Sequence, residues 1–323
     1  MARQSVLELL FCFITPGGIF VKGSVHRMPR PRIVRAGDRA SRNLQNTWRR
    51  YRARPLCGQR IDIKSGPEQL SLQTDEHGLF EAFLKAGNAQ HYREMLGDGC
   101  HVYWCDDKGR NIDYRHSPVV ALTNNARRAI ISDIDDTLLV SHATRFLPRA
   151  RLLLFRNAFH RKSIPGAVAF LRALAKGAEG NERNPLFYLS NSEWNLYDLL
   201  VDFFHHNDFP SGPLLLRDHR VRWKDLVRNR RKATKSHKRR WLQQLLNAFP
   251  GYRFILLGDA GQRDPVLYWE MMNRHPTRIQ AVFIHRVDEA KSNEKLSGYL
   301  KMAKQENLPY FQVENYQEAL KIG

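Results

Sequence analysis

Cysteine is scarce in this 323-residue chain. Its four cysteines, Cys12, Cys57, Cys100 and Cys105, form no C-x-x-C pair and have no His-rich partner segment, which excludes a zinc finger and a redox dithiol. They read as free thiols of a reducing compartment. Long hydrophobic runs are also missing, since no segment beyond the N-terminus reaches the ~18 apolar residues of a membrane span. The N-terminal MARQSVLELLFCFITPGG resembles a signal peptide only superficially: Glu8 interrupts its apolar run and no small-x-small cleavage pattern follows, so a strand or short helix is expected there. The expectation is a cytoplasmic protein whose contact with membranes would be peripheral. Acidic residues are in deficit, 32 against 52 Lys and Arg, for a net charge of +20. Such a field draws polyanions, whether nucleic acid, anionic lipid headgroups or phosphorylated substrates, without choosing among them. There is no internal repeat and no low-complexity segment. With 42% hydrophobic and 11% aromatic residues the chain can bury a core and is not a disordered tail.

The chain changes texture near residue 125. Before it, short alternating runs such as GIFVKGSVHR, QRIDIKSG and CHVYWCDDKGRN are separated by Gly and Asp clusters, which predicts a small β-sandwich-like domain over 1–125. TDEHGLF fits a hairpin turn or tight loop. After it, apolar runs (RAIISDI, PLFYLSN, GPLLLRD, RFILLGD, IQAVFIHRV) alternate with helical patterns, the signature of an α/β doubly wound parallel sheet over 126–323. The tail is expected to add a helix, an edge strand and a closing helix.

In such sheets ligands bind beyond the carboxyl ends of the strands. Each main strand here ends in groups suited to phosphate or metal chemistry: Asp133, Asp135 and Thr137 after AIIS, Ser190 and Asn191 after PLFYL, and Asp259 after RFILLG. Lys235 and Lys238 stand on a basic helix start before the last of these. Carboxylates converging at one point repel each other and are tolerated mainly around a cation. A hard divalent ion with oxygen ligands, Mg²⁺, fits that need. One carboxylate could then attack a phosphorus centre, and a second, two residues on, could protonate the leaving oxygen and later activate water.

The D-x-D-x-T pattern of Asp133, Asp135 and Thr137 resembles the first motif of haloacid-dehalogenase-like phosphatases. Ser190 fits the second motif, Lys238 the third, and GDAGQRD, from Gly258 to Asp264, the acidic fourth. ISDIDDTLLVSHAT, NPLFYLSNSEWNLYDLL, HKRRWLQQLLNAFP and ILLGDAGQRDPVLYWE resemble more closely the catalytic domain of actin-patch-type phosphatidate phosphatases and their bacterial relatives, densely over roughly 120–290. TPGGIFVKGSV and TDEHGLFEAFL are similar to the β-domain that precedes it in bacterial members. The resemblance implies Mg²⁺-dependent hydrolysis of phosphatidate to diacylglycerol and phosphate. It further implies Asp133 as nucleophile and metal ligand, and Asp135 as general acid/base with its backbone carbonyl on the metal. Thr137 would orient Asp135, Ser190 with the adjacent backbone and Asn191 would hold a phosphoryl oxygen, Lys238 would offset charge, and Asp259 and Asp264 would complete the metal shell. Ala260 stands where the family pattern has Ser.

Other residues carry plainer readings. Asp136 caps the loop, Cys100 and Cys105 are strand residues, and His205 and His206 sit at a helix end. Lys235 is the alternative to Lys238, which the family pattern pairs with a preceding His, here His237. Three basic segments are candidate contacts to anionic surfaces: 27–54, with ten Arg, Trp48 and Tyr51; 144–162, where Leu152, Leu153, Leu154, Phe155 and Phe159 mix with Arg; and 220–240, with eleven Lys and Arg against one Asp. Each also has a plainer reading as a solvated loop or helix face. The substrate expected is phosphatidate or another phosphomonoester at an anionic membrane surface; nucleic acid is a partner the charge permits and the motifs do not favour. A non-catalytic lipid- or nucleic-acid-binding module is the rival from another class, and the intact carboxylates argue against it.

Overall fold

The computed structural model describes residues 3–29, 53–119, 121–122, 125–135, 137–138, 163–194, 197–217, 230–287 and 290–320. The chain divides into two compact units, one comprising Met1–Leu122, Ser192–Asp198 and Arg217–Trp223, the other Thr123–Asn191, Leu199–Leu216 and Lys224–Gly323.

In the first unit two four-stranded antiparallel sheets share one core. The first sheet holds β1 (Arg3–Thr15), β2 (Gly18–Pro29), β3 (Arg54–Pro55) and β6 (Leu79–Lys85), with β2 pairing β1, β3 and β6. The second runs β5 (Glu68–Gln73), β4 (Arg60–Ser65), β7 (Cys100–Cys105), β8 (Asn111–Ser117). Leu7, Ile19 and Val21 of the one sheet and Ile61, Ile63 and Val102 of the other lie in a single buried cluster. Because successive side chains of a strand point to opposite faces, β4 buries Ile61, Ile63 and Ser65 and turns Arg60 and Lys64 to solvent. The N-terminal apolar run is thus a strand, and it carries a β-bulge between Leu9 and Phe11.

TDEHGLF forms a tight loop rather than a hairpin: Asp75 accepts 2.8 Å bonds from the His77 and Leu79 backbone N–H groups, and the strands on either side belong to different sheets. The all-β expectation missed one helix, α1 (Ala89–Asp98). Its cap is Asn88, whose side chain accepts from the Gln90 and His91 N–H groups, and among its residues Met95 is fully buried. The four cysteines are free thiols.

The second unit is built on a six-stranded sheet ordered β11 (Leu214–Arg217), β10 (Leu186–Glu193), β9 (Arg128–Ser132), β12 (Arg253–Asp259), β13 (Ile279–His285), β14 (Tyr310–Val313). The pairs β10–β9, β9–β12, β12–β13 and β13–β14 are parallel. Ile130, Ile131, Leu256 and Leu257 on the two central strands have no exposed surface. That burial is why parallel strands read as continuous apolar runs rather than alternating ones. The helices are α2 (Ala167–Lys176), α3 (Tyr197–His206), α4 (Arg230–Ala248), α5 (Asp264–Arg274), α6 (Ala290–Gln305) and the short α7 (Tyr316–Ala319). Trp241, Leu242, Leu245 and Leu246 bury one stripe of α4, and Phe249 just beyond it meets Phe187 of β10 edge-on at 5.5 Å. The expected tail is present as α6, the edge strand β14 and α7.

The strand order has a direct consequence for the site. The chain enters at β9, winds through β10 and β11 to one edge, then restarts beside β9 with β12 and winds to the other. The crevice at such a reversal, between the carboxyl ends of β9 and β12, is where α/β sheets bind ligands.

Candidate active site

Asp133 follows directly on β9 and Asp259 ends β12, so the pairing of these neighbours sets the two acids side by side; the Asp133 N–H donates to the Leu257 carbonyl at 2.9 Å. Asp264, the first residue of α5, joins them. One carboxylate oxygen from each of the three lies within 4.8 Å of the others, and all three residues are buried. The helix start partly offsets the charge of Asp264. Pro265, the next residue, suits the first turn, where its missing N–H costs no helix bond.

Lys238 reaches the same point from α4. Its Nζ lies 2.6 Å from Asp264 Oδ1 and 2.9 Å from Asp133 Oδ1, with 3% of its side chain exposed. It sits midway along the helix rather than at its start, because α4 extends back to Arg230. His237 beside it hydrogen-bonds the Leu215 carbonyl of β11 at 3.2 Å. On β10, the Ser190 hydroxyl donates to Asp135 Oδ2 at 3.3 Å, and the Asn191 side-chain amide donates to Gln262 Oε1 at 3.2 Å. Thr137 is fully buried, and its hydroxyl has no hydrogen-bond partner among the described residues.

Burial dominates the electrostatics. Taking Asp133 wholly out of water, with Asp264 and Asp135 adding repulsion, pushes its carboxyl up to about 7 despite the attraction of Lys238. For Lys238, burial works against the ammonium, but Asp133, Asp264 and Asp259 outweigh it and hold the lysine charged, above its ordinary range. Three buried carboxylates therefore face one buried ammonium, with a fourth, Asp135, beside Asp133. Asp264 Oδ2 has no hydrogen-bond partner among the described residues, and every side-chain donor of the acid cluster is a carboxylate oxygen. That donor set and its excess negative charge fit a hard divalent cation.

Two contributors escaped sequence reading. Gly258 precedes Asp259, and a Cβ there would sit 2.7 Å from Asp264 Cβ and 2.8 Å from Asp264 Oδ2 and Tyr268 Cε2. The glycine is what lets α5 bring Asp264 against the strand end. Replacing Gly258 with Ala should displace Asp264 and weaken divalent-cation binding about tenfold or more, a loss of about one charge-assisted contact, measurable by calorimetric titration. The second is Gln262, whose side chain bonds Asp133, the Asp135 carbonyl and Asn191 at once. The GDAGQRD motif contained it, but nothing local in a sequence signals a glutamine's distant partners.

Of the remaining candidates, Ala260 is buried at the end of β12, its N–H donating to the His285 carbonyl at 2.9 Å. His205 and His206 form the last turn of α3. Asp136, segment 144–162, residues 30–52 with Trp48 and Tyr51, residues 220–229 and the side chain of Lys235 lie outside the described residues.

Residues 128–286 match the family model described as phosphatidate phosphatase APP1, catalytic domain. This segment belongs to the APP1 catalytic-domain family. The matched span begins with β9 and ends one residue past β13, so it contains Asp133, Ser190, Lys238, Asp259 and Asp264. Among curated proteins the chain is similar to phosphatidate phosphatase APP1 of Saccharomyces cerevisiae, 28% identical over 51% of this chain and 27% of the yeast protein. It is also 28% identical to an uncharacterized protein of Schizosaccharomyces pombe, over 49% of this chain and 25% of that one. The chain thus matches about a quarter of the length of these curated relatives. A solved carbohydrate esterase chain aligns over 94% of this chain at 10% identity with a TM-score of 0.26, a likeness that carries no argument.

Proposed function

We propose that the chain is a phosphatidate phosphatase that hydrolyses phosphatidate to diacylglycerol and phosphate through an aspartyl-phosphate on Asp133. The observation that carries this reading is the meeting of Asp133, Asp259, Asp264 and Lys238 at the reversal point of the sheet, within the segment that matches the APP1 catalytic domain. The fold proposed for this unit is the doubly wound haloacid-dehalogenase-like one, over 126–323. Residues 1–125 form an accessory, β-sandwich-like domain.

Asp133 is the nucleophile: its carboxylate oxygen forms the bond to phosphorus as the bond from phosphorus to the glycerol oxygen breaks. Asp135 gives its proton to that leaving oxygen. It then takes a proton from the water that attacks phosphorus, releasing phosphate and restoring Asp133. The Ser190 hydroxyl, bonded to Asp135 Oδ2, and Asn191 are placed to take phosphoryl oxygens, and Thr137 positions the Asp135 loop. Lys238 holds positive charge against Asp133 and the transferring group, the contribution that dominates phosphoryl transfer. Asp133, Asp259, Asp264 and the Asp135 carbonyl would hold Mg²⁺, which would supply the remaining charge neutralisation. Ala260 in place of the family's Ser leaves these carboxylates intact and removes one hydroxyl beside them.

The basic balance of the chain supports work at an anionic membrane surface, as a cytoplasmic protein attached peripherally. Among the described residues no helix is long and apolar enough to cross a membrane. The test is phosphate release by the full chain from phosphatidylcholine vesicles with and without phosphatidate, set against a 5′-phosphorylated oligonucleotide, each with Mg²⁺ and with chelator. Mg²⁺-dependent release from the phosphatidate vesicles is expected. Turnover confined to the oligonucleotide would replace the lipid by a nucleic-acid end, and turnover on neither would leave a binding module.

A further inference from the structure

We propose that Gln262 is a gate on the proposed metal and phosphate sites: its carboxamide occupies the cation's place in the ion-free protein and is displaced when either ligand binds. The inference rests on the phosphatase reading of the same acids and adds to it a coupling between the two ligands.

Gln262 lies in the loop between Asp259 and Asp264, where its N–H donates to Asp259 Oδ1 at 2.9 Å and anchors it to the end of β12. From there its side-chain nitrogen Nε2 donates to two oxygens, Asp133 Oδ2 at 3.2 Å and the Asp135 backbone carbonyl at 3.3 Å. A carboxylate oxygen and a backbone carbonyl converging on one point are what a hard cation gathers. Here they gather an amide NH₂, whose two hydrogens carry only partial positive charge. The amide is a neutral stand-in, and a cation that takes these oxygens must first break both bonds.

The other end of the same carboxamide faces the phosphate side. Gln262 Oε1 accepts one of the two Asn191 Nδ2 hydrogens at 3.2 Å and so fixes how that amide is turned; a phosphoryl oxygen that draws the amide toward itself competes with this bond. Gln262 is partly exposed while Asp133, Asp259 and Asp264 are almost wholly buried, so of these side chains it is the one with a face toward solvent. Either ligand therefore releases the side chain that obstructs the other. Whichever binds second meets a site already open, which is positive coupling, and by linkage each ligand raises the other's affinity by the same factor. Gln262 acts here as a positioning residue and takes no part in bond making.

The experiment is Mn²⁺ titration of the full chain, read by the loss of the free-ion electron paramagnetic resonance signal, with and without inorganic phosphate. It compares wild type with Gln262→Met, which keeps length and loses both bonding ends, and Gln262→Asn, whose shorter arm cannot span them. Both variants are expected to bind Mn²⁺ about tenfold more tightly than wild type, the worth of roughly one net hydrogen bond. The further tightening by phosphate should be smaller than in wild type. If Met disrupts folding, seen by circular dichroism, the Asn variant decides. Equal or weaker Mn²⁺ binding by the variants overturns the gate, because Gln262 then supports the ion rather than excluding it. Failure of wild type and variants alike to bind Mn²⁺ overturns it too. Failure of the phosphatidate reading is distinguishable, since tighter Mn²⁺ binding with no turnover of phosphatidate vesicles keeps the gate and removes only the substrate.

Discussion

Replacing Asp133 with Asn should abolish the proposed phosphate release and, in the same protein, raise the melting temperature of the ion-free state. The first effect follows from the proposed nucleophile: an amide cannot form the acyl-phosphate, and a loss of at least ~10³-fold in turnover is expected. The second follows from burial. The Asp133 carboxyl, ordinarily at 3.8, is pushed up to about 7 by desolvation first and by its acidic neighbours after that. Between those two values the unfolded chain has released this proton and the folded chain still holds it. The folded state binds more protons there, so stability falls as pH rises through that window and stays low above it. Asparagine removes the penalty along with the charge. At pH above 7 and without divalent ion, differential scanning calorimetry should show a gain of about 1–3 kcal/mol, on the scale of other replaced buried charges, or several degrees. Mg²⁺ should narrow the gap by stabilising the wild type more than the variant. An unchanged or lower melting temperature would mean that the acids are already neutralised by groups other than an ion.

The opposite sign is expected for Lys238→Met. This side chain is almost wholly buried and touches two of the acids, at 2.6 and 2.9 Å, so its removal strands like charges in a dry site. Breaking a buried pair by removing one partner costs about 3–5 kcal/mol, and turnover should fall with it. The ammonium's folded value lies above its ordinary 10.5, so in wild type its contribution is complete below that pH and is lost only in strong alkali. Losing Lys238 raises the Asp133 carboxyl further above its wild-type value of about 7, so the variant's deficit should be full in mild alkali, where Asp133 is ionised in both proteins. It should shrink as pH falls toward about 7, where the variant's Asp133 takes up its proton first, and it should shrink again with added Mg²⁺. Denaturant melts over that pH range, with and without ion, measure both. A deficit independent of pH and ion would reduce Lys238 to a packing residue.

Much of the catalytic unit was legible because its central strands are buried on both faces: a continuous apolar run that stops at an acid reads as a strand end at a ligand site. RAIIS ahead of Asp133 and RFILLG ahead of Asp259 are such runs, and the sheet sets them next to each other. The acids, Lys238 and Ser190 were thereby found to converge. What stayed hidden depends on contacts far apart in the chain. The bonds of Gln262 to Asp133 and Asn191 span 129 and 71 residues. The need for glycine at 258 exists only once α5 lies against β12. The helix α1 was missed because, among its residues, only Met95 is fully buried, too thin a stripe to show a period. The position of Lys238 on its helix was misjudged because a basic run without caps does not mark where a helix begins.

The N-terminal strand resisted reading for a different reason, and the reason has a use. Leu7 and Leu9 face the shared core of the two sheets, and beyond the bulge Cys12 and Ile14 do, so the inward positions change from odd to even within one strand. Leu10 is the residue that makes the change. Among relatives that lose or gain one residue in this strand, position 10 is where the length can vary without turning the remaining side chains inside out. An insertion or deletion between Leu10 and the turn after Thr15 would instead change which of Phe13 and Ile14 faces the core shared by the two sheets. Alignments of this domain should accordingly place their gaps at Leu10, and a shortened hairpin for engineering should be cut there.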